Sequence, residues 1–183
     1  DSLLRVIAPR FEEIDSELAL LSEFRDKPAG KLRITAGEHS AITILHPVLA
    51  RLLPDNPDLN IEIIVDYGLT DIVAEGFDAG VRLGEQVAKD MIAMRIGPDM
   101  SMAVVGSPAY FSRHPKPLVP SDLMAHNCMT LRMPTHGGLL LWEFEKGGQE
   151  LKVRVEGQLV FNSIGCVLEA ALDGYGLAYL PQS

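Results

Sequence analysis

The feature that most constrains the fold of this 183-residue chain is an alternation of strand-like and helix-like segments that starts at Gly30. From Leu32 to Ala36, apolar and polar residues alternate with the two-residue period of a strand. An apolar run with helical spacing follows Gly37, and Ser40 is its expected N-cap. Because parallel strands need crossover connections, usually helices, this order predicts βαβ units and a mostly parallel sheet. The predicted strands are 32–36, 59–65 and 79–83, and the predicted helices are 40–53 and 70–75.

The second half of the chain repeats this pattern after an extended passage at 91–106. Gly147 and Gly148 are expected to turn a hairpin, and Asn162 or Ser163 to cap the last helix. The predicted helices here are 107–114 and 163–172, and the strands are 128–131, 139–144, 151–155 and 177–180, with the hairpin extending toward 159–161. A helix, a glycine and a strand follow one another in both halves. We therefore predict two small α/β lobes.

Composition and charge exclude several classes of protein. The net charge of −9 and the lack of any basic run indicate that this chain does not itself hold nucleic acid, because that affinity depends on clustered Lys and Arg. No apolar run is long enough to span a membrane. Cys128 and Cys166 have no CxxC spacing, which is typical of reduced thiols in a cytosol, and we expect both to be buried as small hydrophobes. These features predict a cytoplasmic protein with no membrane contact.

The first segment has the apolar spacing of a heptad repeat. The apolar positions, three and four residues apart, are Leu4, Ile7, Phe11, Ile14, Leu18 and Leu21. Charged residues occupy the other faces, so the seam favours a coiled-coil helix that pairs two chains. The alternative is an amphipathic helix packed on its own domain. Pro9 predicts a kink or a helix start, and the proline and glycine within 26–30 predict a hinge before the body.

Polar side chains follow the predicted strands, at the edge where an open α/β sheet usually binds its ligand. The helix start after the first strand can receive a carboxylate on its backbone N–H groups. Arg82 ends the third strand and can either clamp an acidic ligand or pair with a nearby carboxylate. For Thr70 taken alone, an N-cap is the favoured interpretation. The predicted small-molecule site consists of Glu38, His39, Ser40, Tyr67, Thr70, Arg82, Arg132, His136, Asn162 and Ser163.

Motifs of enzymatic chemistry are not found in the sequence. It contains no Gly-x-Ser-x-Gly elbow, no HExxH and no P-loop. The histidines His114, His126 and His136 lack metal-ligand spacing with Cys128. We therefore predict no catalytic residues, no metal and no cofactor, and an enzyme is the least favoured class.

A series of short motifs occurs in the order and spacing of a known family. They are Gly30-x-Leu-Arg-Ile, Pro47-x-Leu, Asn56-Pro-Asp-Leu, Gly76-Phe-Asp-Ala-Gly-Val-Arg-Leu-Gly84, Ser107-Pro-Ala-Tyr110, Asp122-Leu-x-x-His126-x-Cys128, Trp142-x-Phe144 and Gly174-x-Gly-Leu-Ala-x-Leu-Pro181. Together, over residues 1–183, they resemble the effector-binding region of LysR-type transcriptional regulators. The resemblance implies a type II periplasmic-binding-protein-like fold: two Rossmann-like lobes joined by crossing strands, preceded by a linker helix.

The resemblance also implies an organisation and a set of partners. Residues 1–29 would be the dimerising linker helix and hinge, 30–104 the first effector-binding lobe and 105–183 the second. A small-molecule effector, with a carboxylate as one candidate, would bind in the cleft, and the protein would form a homodimer or homotetramer in the cytoplasm. His39 stands where many members of the family have a small hydroxyl residue, so their ligands cannot be transferred to this chain.

Two departures from the family pattern carry expectations. The family has a winged helix-turn-helix ahead of the linker, so promoter DNA would be bound only through that N-terminal domain, which is absent from these residues. The family also continues after the strand that ends near Pro181, so we expect the first lobe to lack an element that normally covers it. The alternatives are an extracytoplasmic solute-binding protein of the same fold and, less favoured, an enzyme on this scaffold.

Overall fold

A computed structural model describes residues 28–68, 71–83, 91–134 and 137–182 of the chain. The heptad positions of the first segment lie outside these ranges, as do the predicted site residues Thr70 and His136. The coiled-coil linker and its pairing role therefore stay predictions. Within the described ranges, no helix is long and apolar enough to cross a membrane.

The first sheet contains three parallel strands in the order β2-β1-β3. They are β1 (Gly30–Ala36), β2 (Leu59–Val65) and β3 (Ala79–Val81), with Ile34 opposite both Ile63 and Ala79. Because β1 is central, its last residues from Ile34 to Ala36 are buried. The predicted parallel sheet is confirmed, although β3 ends at Val81 and not at residue 83.

The helix after β1 begins earlier than the sequence predicts. Its successive segments are α1 (Glu38–Ser40), a π-helical turn (Ala41–Leu45), α2 (His46–Leu52) and a 3₁₀ turn (Leu53–Asp55). Gly37 is the N-cap, and Ser40 has helical dihedrals and caps nothing, so the prediction of Ser40 as N-cap is wrong. Pro47 lies in the first turn of α2, where its missing N–H is tolerated after the wider π turn. The helix therefore continues through Pro47 as α2.

Residues 71–76 form turns, so the helix predicted at 70–75 is not present over its described part. The Asp71 side chain accepts hydrogen bonds from the backbone N–H groups of Val73 and Ala74. Gly76 then takes a φ of +68°, which reverses the chain after one turn and leads it to β3. The local hydrogen bonds of Asp71 and the early glycine explain why no longer helix forms.

The second sheet has four strands in the order β4-β9-β5-β8, and a separate hairpin joins β6 and β7. In chain order the elements are β4 (Met102–Val105), α3 (Pro108–Phe111), a 3₁₀ turn (Pro120–Ala125), β5 (Cys128–Leu131), β6 (Trp142–Lys146), β7 (Gln149–Val153), β8 (Val160–Phe161), α4 (Ile164–Leu172) and β9 (Leu177–Pro181). The predicted hairpin is confirmed, but β8 does not extend it. Instead β8 pairs in parallel with β5, because the chain crosses over to bury its apolar residues under α4.

Two apolar clusters cover the second sheet. One contains Trp142, Tyr110 and Leu177, and the other packs α4, through Val167, against Met129. We call β1–β3 with α1 and α2 the first lobe, and β4–β9 with α3 and α4 the second lobe. Strand β4 belongs to the second sheet and so crosses the boundary proposed between residues 104 and 105; the lobe boundaries themselves stay a prediction.

The two cysteines have different surroundings. Cys128 is buried in the first of these clusters, where burial raises the pKa of its thiol to about 11. Cys166 is exposed in the first turn of α4. The expectation that both are buried is therefore wrong for Cys166, because its helix position faces solvent and not the sheet.

Candidate functional site

A cavity of about 210 Å³ lies between the two lobes. From the first lobe it is lined by the segments that follow the carboxyl ends of β1, β2 and β3. From the second lobe it is lined by the start of α4, the ends of β5 and β9 and the segment that enters β6. Parallel strands end at a common edge, so the topology alone brings these loops together.

The carboxylate of Glu38 connects the two lobes through Tyr67 and Ile164, which line this cavity. Its Oε2 accepts hydrogen bonds from the Tyr67 hydroxyl (3.0 Å) and the Ile164 backbone N–H (2.9 Å). Its Oε1 accepts from the Ser163 hydroxyl and the Gly165 backbone N–H, both at 3.2 Å. Glu38 starts α1 in the first lobe, and its partners at 163–165 open α4 in the second. A side-chain carboxylate of the chain itself therefore occupies the positive N-terminus of α4.

Tyr67 and Gly165, which both lie next to the Glu38 carboxylate, are suited to the contact that it makes between the lobes. Burial and the Glu38 charge raise the pKa of Tyr67 well above its usual range, so its hydroxyl stays a donor to the carboxylate. A Cβ at Gly165 would lie 3.0 Å from the Glu38 Oε1, which is tighter than ordinary contact. Glycine at this position lets the carboxylate approach the helix backbone closely.

Arg82 reaches the cavity from the end of β3 and is partly buried. Its Nη1 donates to the Val81 carbonyl (3.0 Å), and its Nη2 donates to the Thr35 hydroxyl (2.8 Å) and the Gly68 carbonyl (3.3 Å). Burial lowers the pKa of Arg82, and the charge of Asp66 opposes this shift. The guanidinium is therefore held in place by neutral oxygens at the cavity wall.

The structure brings together part of the site predicted from the sequence. His39, Ser40, Tyr67 and Arg82 line the cavity. Glu38 and Ser163 do not line it, but Glu38 hydrogen-bonds to Ser163 and to two residues that do, Tyr67 and Ile164. Their roles in ligand binding stay predictions.

Two predicted site residues lie elsewhere among the described residues. Arg132 is exposed and donates to the Gly137 carbonyl at 2.6 Å, away from the cavity wall, and Asn162 does not line the cavity either. Arg132 follows β5, but β5 ends one residue earlier at the inward-facing Leu131, so the alternation of the strand turns Arg132 outward.

Much of the cavity wall was not identified from the sequence. The further lining residues are Gly37, Asp66, Val81, Leu83, Met100, Met102, Leu131, Met133, Leu140, Leu141, Glu143, Ile164, Tyr179 and Pro181. Leu131 and Pro181 end strands, so their position at a strand end could have identified them from the sequence as cavity residues. Met100, Met133 and Leu140–Leu141 come from irregular segments and Met102 starts β4. In sequence their apolar side chains cannot be distinguished from ordinary core residues.

A second, larger depression of about 560 Å³ runs along the outside of α4. It is lined by Leu159, Phe161, Cys166, Glu169 and Tyr175, all from the second lobe. It is a broad surface groove with no cationic side chain among its lining residues. The inter-lobe cavity, where charged groups meet an apolar wall, is the better candidate site.

No group of His, Cys, Asp and Glu in the part of the chain that the structure describes is arranged to hold a metal ion. The histidines His114 and His126 instead pack around Tyr110, whose ring stacks on His114 at 4.3 Å and whose hydroxyl contacts His126 Nδ1 at 3.0 Å. His126 is buried in the second lobe, away from the cavity. This cluster is part of the packing of that lobe.

Comparison with known proteins gives the family. The model of the LysR substrate binding domain matches residues 25–183. The HTH-type transcriptional regulator PgrR of Escherichia coli is 50% identical over 181 residues, covering 99% of this chain and 60% of the relative. The regulator PtxR of Pseudomonas aeruginosa is 27% identical over 169 residues, covering 92% of this chain and 53% of the relative. The chain thus spans about three-fifths or less of the length of these relatives.

Solved structures show the same fold. The full-length Vibrio cholerae virulence activator AphB matches with a TM-score of 0.73 at 23% identity, over 95% of this chain and 58% of that one. CrgA, a LysR-type regulator of Neisseria meningitidis, matches with a TM-score of 0.73 at 21% identity, over 97% of this chain and 58% of that one. The expected periplasmic-binding-protein-like α/β fold is confirmed, and the chain belongs to the LysR substrate binding domain family.

Proposed function

We propose that this chain is the effector-sensing region of a LysR-type transcriptional regulator, and that a small molecule binds in the cavity between its lobes. The observation that supports this most is that both lobes line a single cavity, in which the charged groups Asp66, Arg82 and Glu143 meet a largely apolar wall. A ligand held there contacts both lobes at once. Its binding free energy therefore depends on the angle between them.

The mechanism that follows is a population shift. A ligand that binds one arrangement of the lobes more tightly raises the population of that arrangement. Because Glu38 also joins the lobes through hydrogen bonds to 163–165, ligand and Glu38 act on the same equilibrium. A change in lobe angle in one protomer would alter its contacts with another and so the spacing of attached DNA-binding domains.

The partners of the whole protein belong to this proposal. The heptad positions of the first segment support a linker that pairs chains, in a homodimer or homotetramer. DNA would be bound through a helix-turn-helix domain of the kind named in the relatives, and such a regulator acts in the cytoplasm. The relatives named as transcriptional regulators do not support a solute-binding protein of the same fold.

The cavity also supports a binding function over a catalytic one. In the described part of its wall, no serine or cysteine is hydrogen bonded to a histidine, the arrangement that activates a nucleophile. We therefore propose that the protein binds its small molecule without turnover.

A cavity-blocking variant tests this function. A library of small metabolites is screened by thermal shift, and each hit is repeated on Ser40→Phe, which places a ring in the cavity. Ser121→Phe, at an exposed position in the 3₁₀ turn of the second lobe, is the matched control. We expect hits that stabilise the wild-type chain and Ser121→Phe and are lost in Ser40→Phe. Hits that Ser40→Phe leaves unchanged, or no hit at all, would contradict the proposed site.

A further inference from the structure

Two groups near the cavity could receive the negative charge of a ligand. One is the N-terminus of α4, a nine-residue helix whose first residue, Ile164, lines the cavity. The other is the guanidinium of Arg82 on the opposite wall. Which of them is open decides where an anionic ligand would be held.

The N-terminus of α4 is already filled. The backbone N–H groups of Ile164 and Gly165 donate to the carboxylate of Glu38, at 2.9 and 3.2 Å. The N–H of Cys166 donates to the Ser163 hydroxyl at 3.3 Å, and that hydroxyl in turn donates to Glu38. A second carboxylate at this helix end would have to displace Glu38 and would meet its charge.

The guanidinium of Arg82, in contrast, keeps N–H bonds that no described residue accepts. Its three acceptors among the described residues are neutral oxygens, which use three of the five N–H bonds of a guanidinium. Its Nε–H and one Nη1–H have no partner among the residues that the structure describes. Each bidentate face of a guanidinium includes Nη2, and both N–H bonds of Nη2 are used here, so a carboxylate would accept one charge-assisted hydrogen bond, from Nε–H or from the free Nη1–H.

The cavity wall also contains two carboxylates, Glu143 and Asp66. Glu143 forms an ion pair with Lys152 at 2.6 Å. Asp66 lies on the same side as Arg82 and accepts a hydrogen bond from the Gly68 N–H at 2.8 Å. Asp66 would favour an amine where Arg82 favours an acid, so the two ligand charges must be compared directly.

The rest of the wall is apolar and the volume is small. The apolar part of the wall lies opposite the polar end. It consists of Met102, Met133, Leu131 and Leu140 of the second lobe and Met100 of the segment that leads into β4. Flexible methionine side chains adapt to varied apolar shapes. At about 210 Å³ the cavity is smaller than the roughly 300 to 1,000 Å³ usual for drug-sized ligands.

We infer that the cavity takes a small organic acid with an apolar body, its carboxylate on Arg82 and its body against the methionine and leucine wall. This inference rests on the proposed function and names the ligand class of the same site. Glu38 closes the helix end to the ligand, and Arg82 is the residue that distinguishes an acid from a neutral or cationic molecule of the same shape.

The test compares hexanoate, hexanamide and hexan-1-amine by calorimetric titration of the 183-residue chain. These probes share an apolar chain and differ in charge. We expect hexanoate to bind at least about tenfold more tightly than the amide or the amine, because a charge-assisted hydrogen bond is lost with either. Equal or tighter binding of the amide or the amine would overturn the inference.

Variants locate the carboxylate. Arg82→Gln should lower the affinity for hexanoate about tenfold or more, to that for hexanamide. Arg82→Lys keeps a positive charge and should lower this affinity less. Arg95→Gln, at an arginine whose side chain is 68% exposed and outside the cavity wall, is the matched control and should change nothing. If Glu38→Ala raises the affinity for hexanoate many-fold, while Arg82→Gln and Arg82→Lys leave that affinity unchanged, the acid binds at the N-terminus of α4 and the inference is wrong.

The outcome also separates this inference from the proposed function. If the acids do not bind but the screen yields another ligand that Ser40→Phe blocks, the ligand class is wrong and the effector-sensing role stands. If neither the probes nor the screen yields a ligand blocked by Ser40→Phe, the proposed function fails together with the inference.

Discussion

Glu38 connects the two lobes by side-chain hydrogen bonds to the start of α4. It is separated from Ile164 by 126 positions in sequence, and the contact combines a charged acceptor with backbone donors and two hydroxyls. Hydrogen bonds to charged groups contribute more than neutral ones. Loss of the charge also removes an interaction with the helix dipole.

We therefore expect Glu38→Gln to lower the free energy of unfolding by about 1 to 3 kcal/mol. The matched control is Glu145→Gln, at an exposed carboxylate on the β6–β7 hairpin, which should change stability by less than about 0.5 kcal/mol. Urea unfolding of the two variants and the wild-type chain measures both. Equal stabilities for the two variants would mean that the Glu38 contact contributes nothing to folding.

His126 is a buried residue whose protonation should change the free energy of unfolding as the pH is lowered. Burial, followed by the charge of His114, lowers the pKa of His126 below its usual 6.5, and Asp122 opposes this shift. Since the unfolded chain then binds a proton more readily than the folded one, protonation favours unfolding. The contribution of His126 is complete above about pH 6.5 and is lost as the pH falls below it.

The measurement is urea unfolding at about pH 8 and about pH 5.5. We expect the wild-type chain to lose more stability between these values than His126→Gln does. His46→Gln replaces an exposed histidine and should behave as the wild type. A pH dependence that is the same in all three proteins would show that His126 is not responsible.

At the scale of elements, the β6–β7 hairpin depends on its two-glycine turn. Gly147 and Gly148 have φ values of 60° and 78°, the left-handed region that a two-residue type I′ turn requires at both positions. A Cβ at Gly147 would meet no atom within 4 Å, so a substitution there acts on the backbone conformation alone.

Gly147→Ala should therefore destabilise the chain by about 1 to 2 kcal/mol, the usual cost of a left-handed alanine. Gly138→Ala is the control, because that glycine also faces open space but has no positive φ. Unfolding free energies and amide exchange of the hairpin measure the effect. Equal losses in the two variants would contradict a type I′ requirement.

At the scale of the whole molecule, the sole tryptophan reports on the second lobe. Trp142 is fully buried and stacks on Tyr179 with ring centroids 5.4 Å apart, and Tyr179 lines the cavity. A cavity ligand contacts both lobes, so its stabilisation should reach Trp142 even though Arg82 belongs to the first lobe.

We expect a ligand at one hundred times its dissociation constant to raise the unfolding free energy seen by Trp142 fluorescence by about 2.7 kcal/mol. The transition followed by far-ultraviolet circular dichroism should shift equally. A shift in circular dichroism without one in fluorescence would mean that the ligand stabilises the first lobe alone.

Local pattern was sufficient for much of the fold. The alternation at 32–36 and 59–65, the double glycine at 147–148 and the cap at Ser163 each depend on residues a few positions apart, and the structure has all of them. Strand ends also placed His39, Ser40, Tyr67 and Arg82 at one edge, because parallel strands share a carboxyl end.

Contacts between distant segments needed the tertiary structure. No local signal indicates that Glu38 meets the start of α4, that Val160 pairs with β5 and not with the hairpin, or that the methionines wall the cavity. Side-chain periodicity reports which face of an element is buried, but not what covers it. Which carboxylate fills a helix end, and which arginine lines the cavity, depends on how the two lobes pack together.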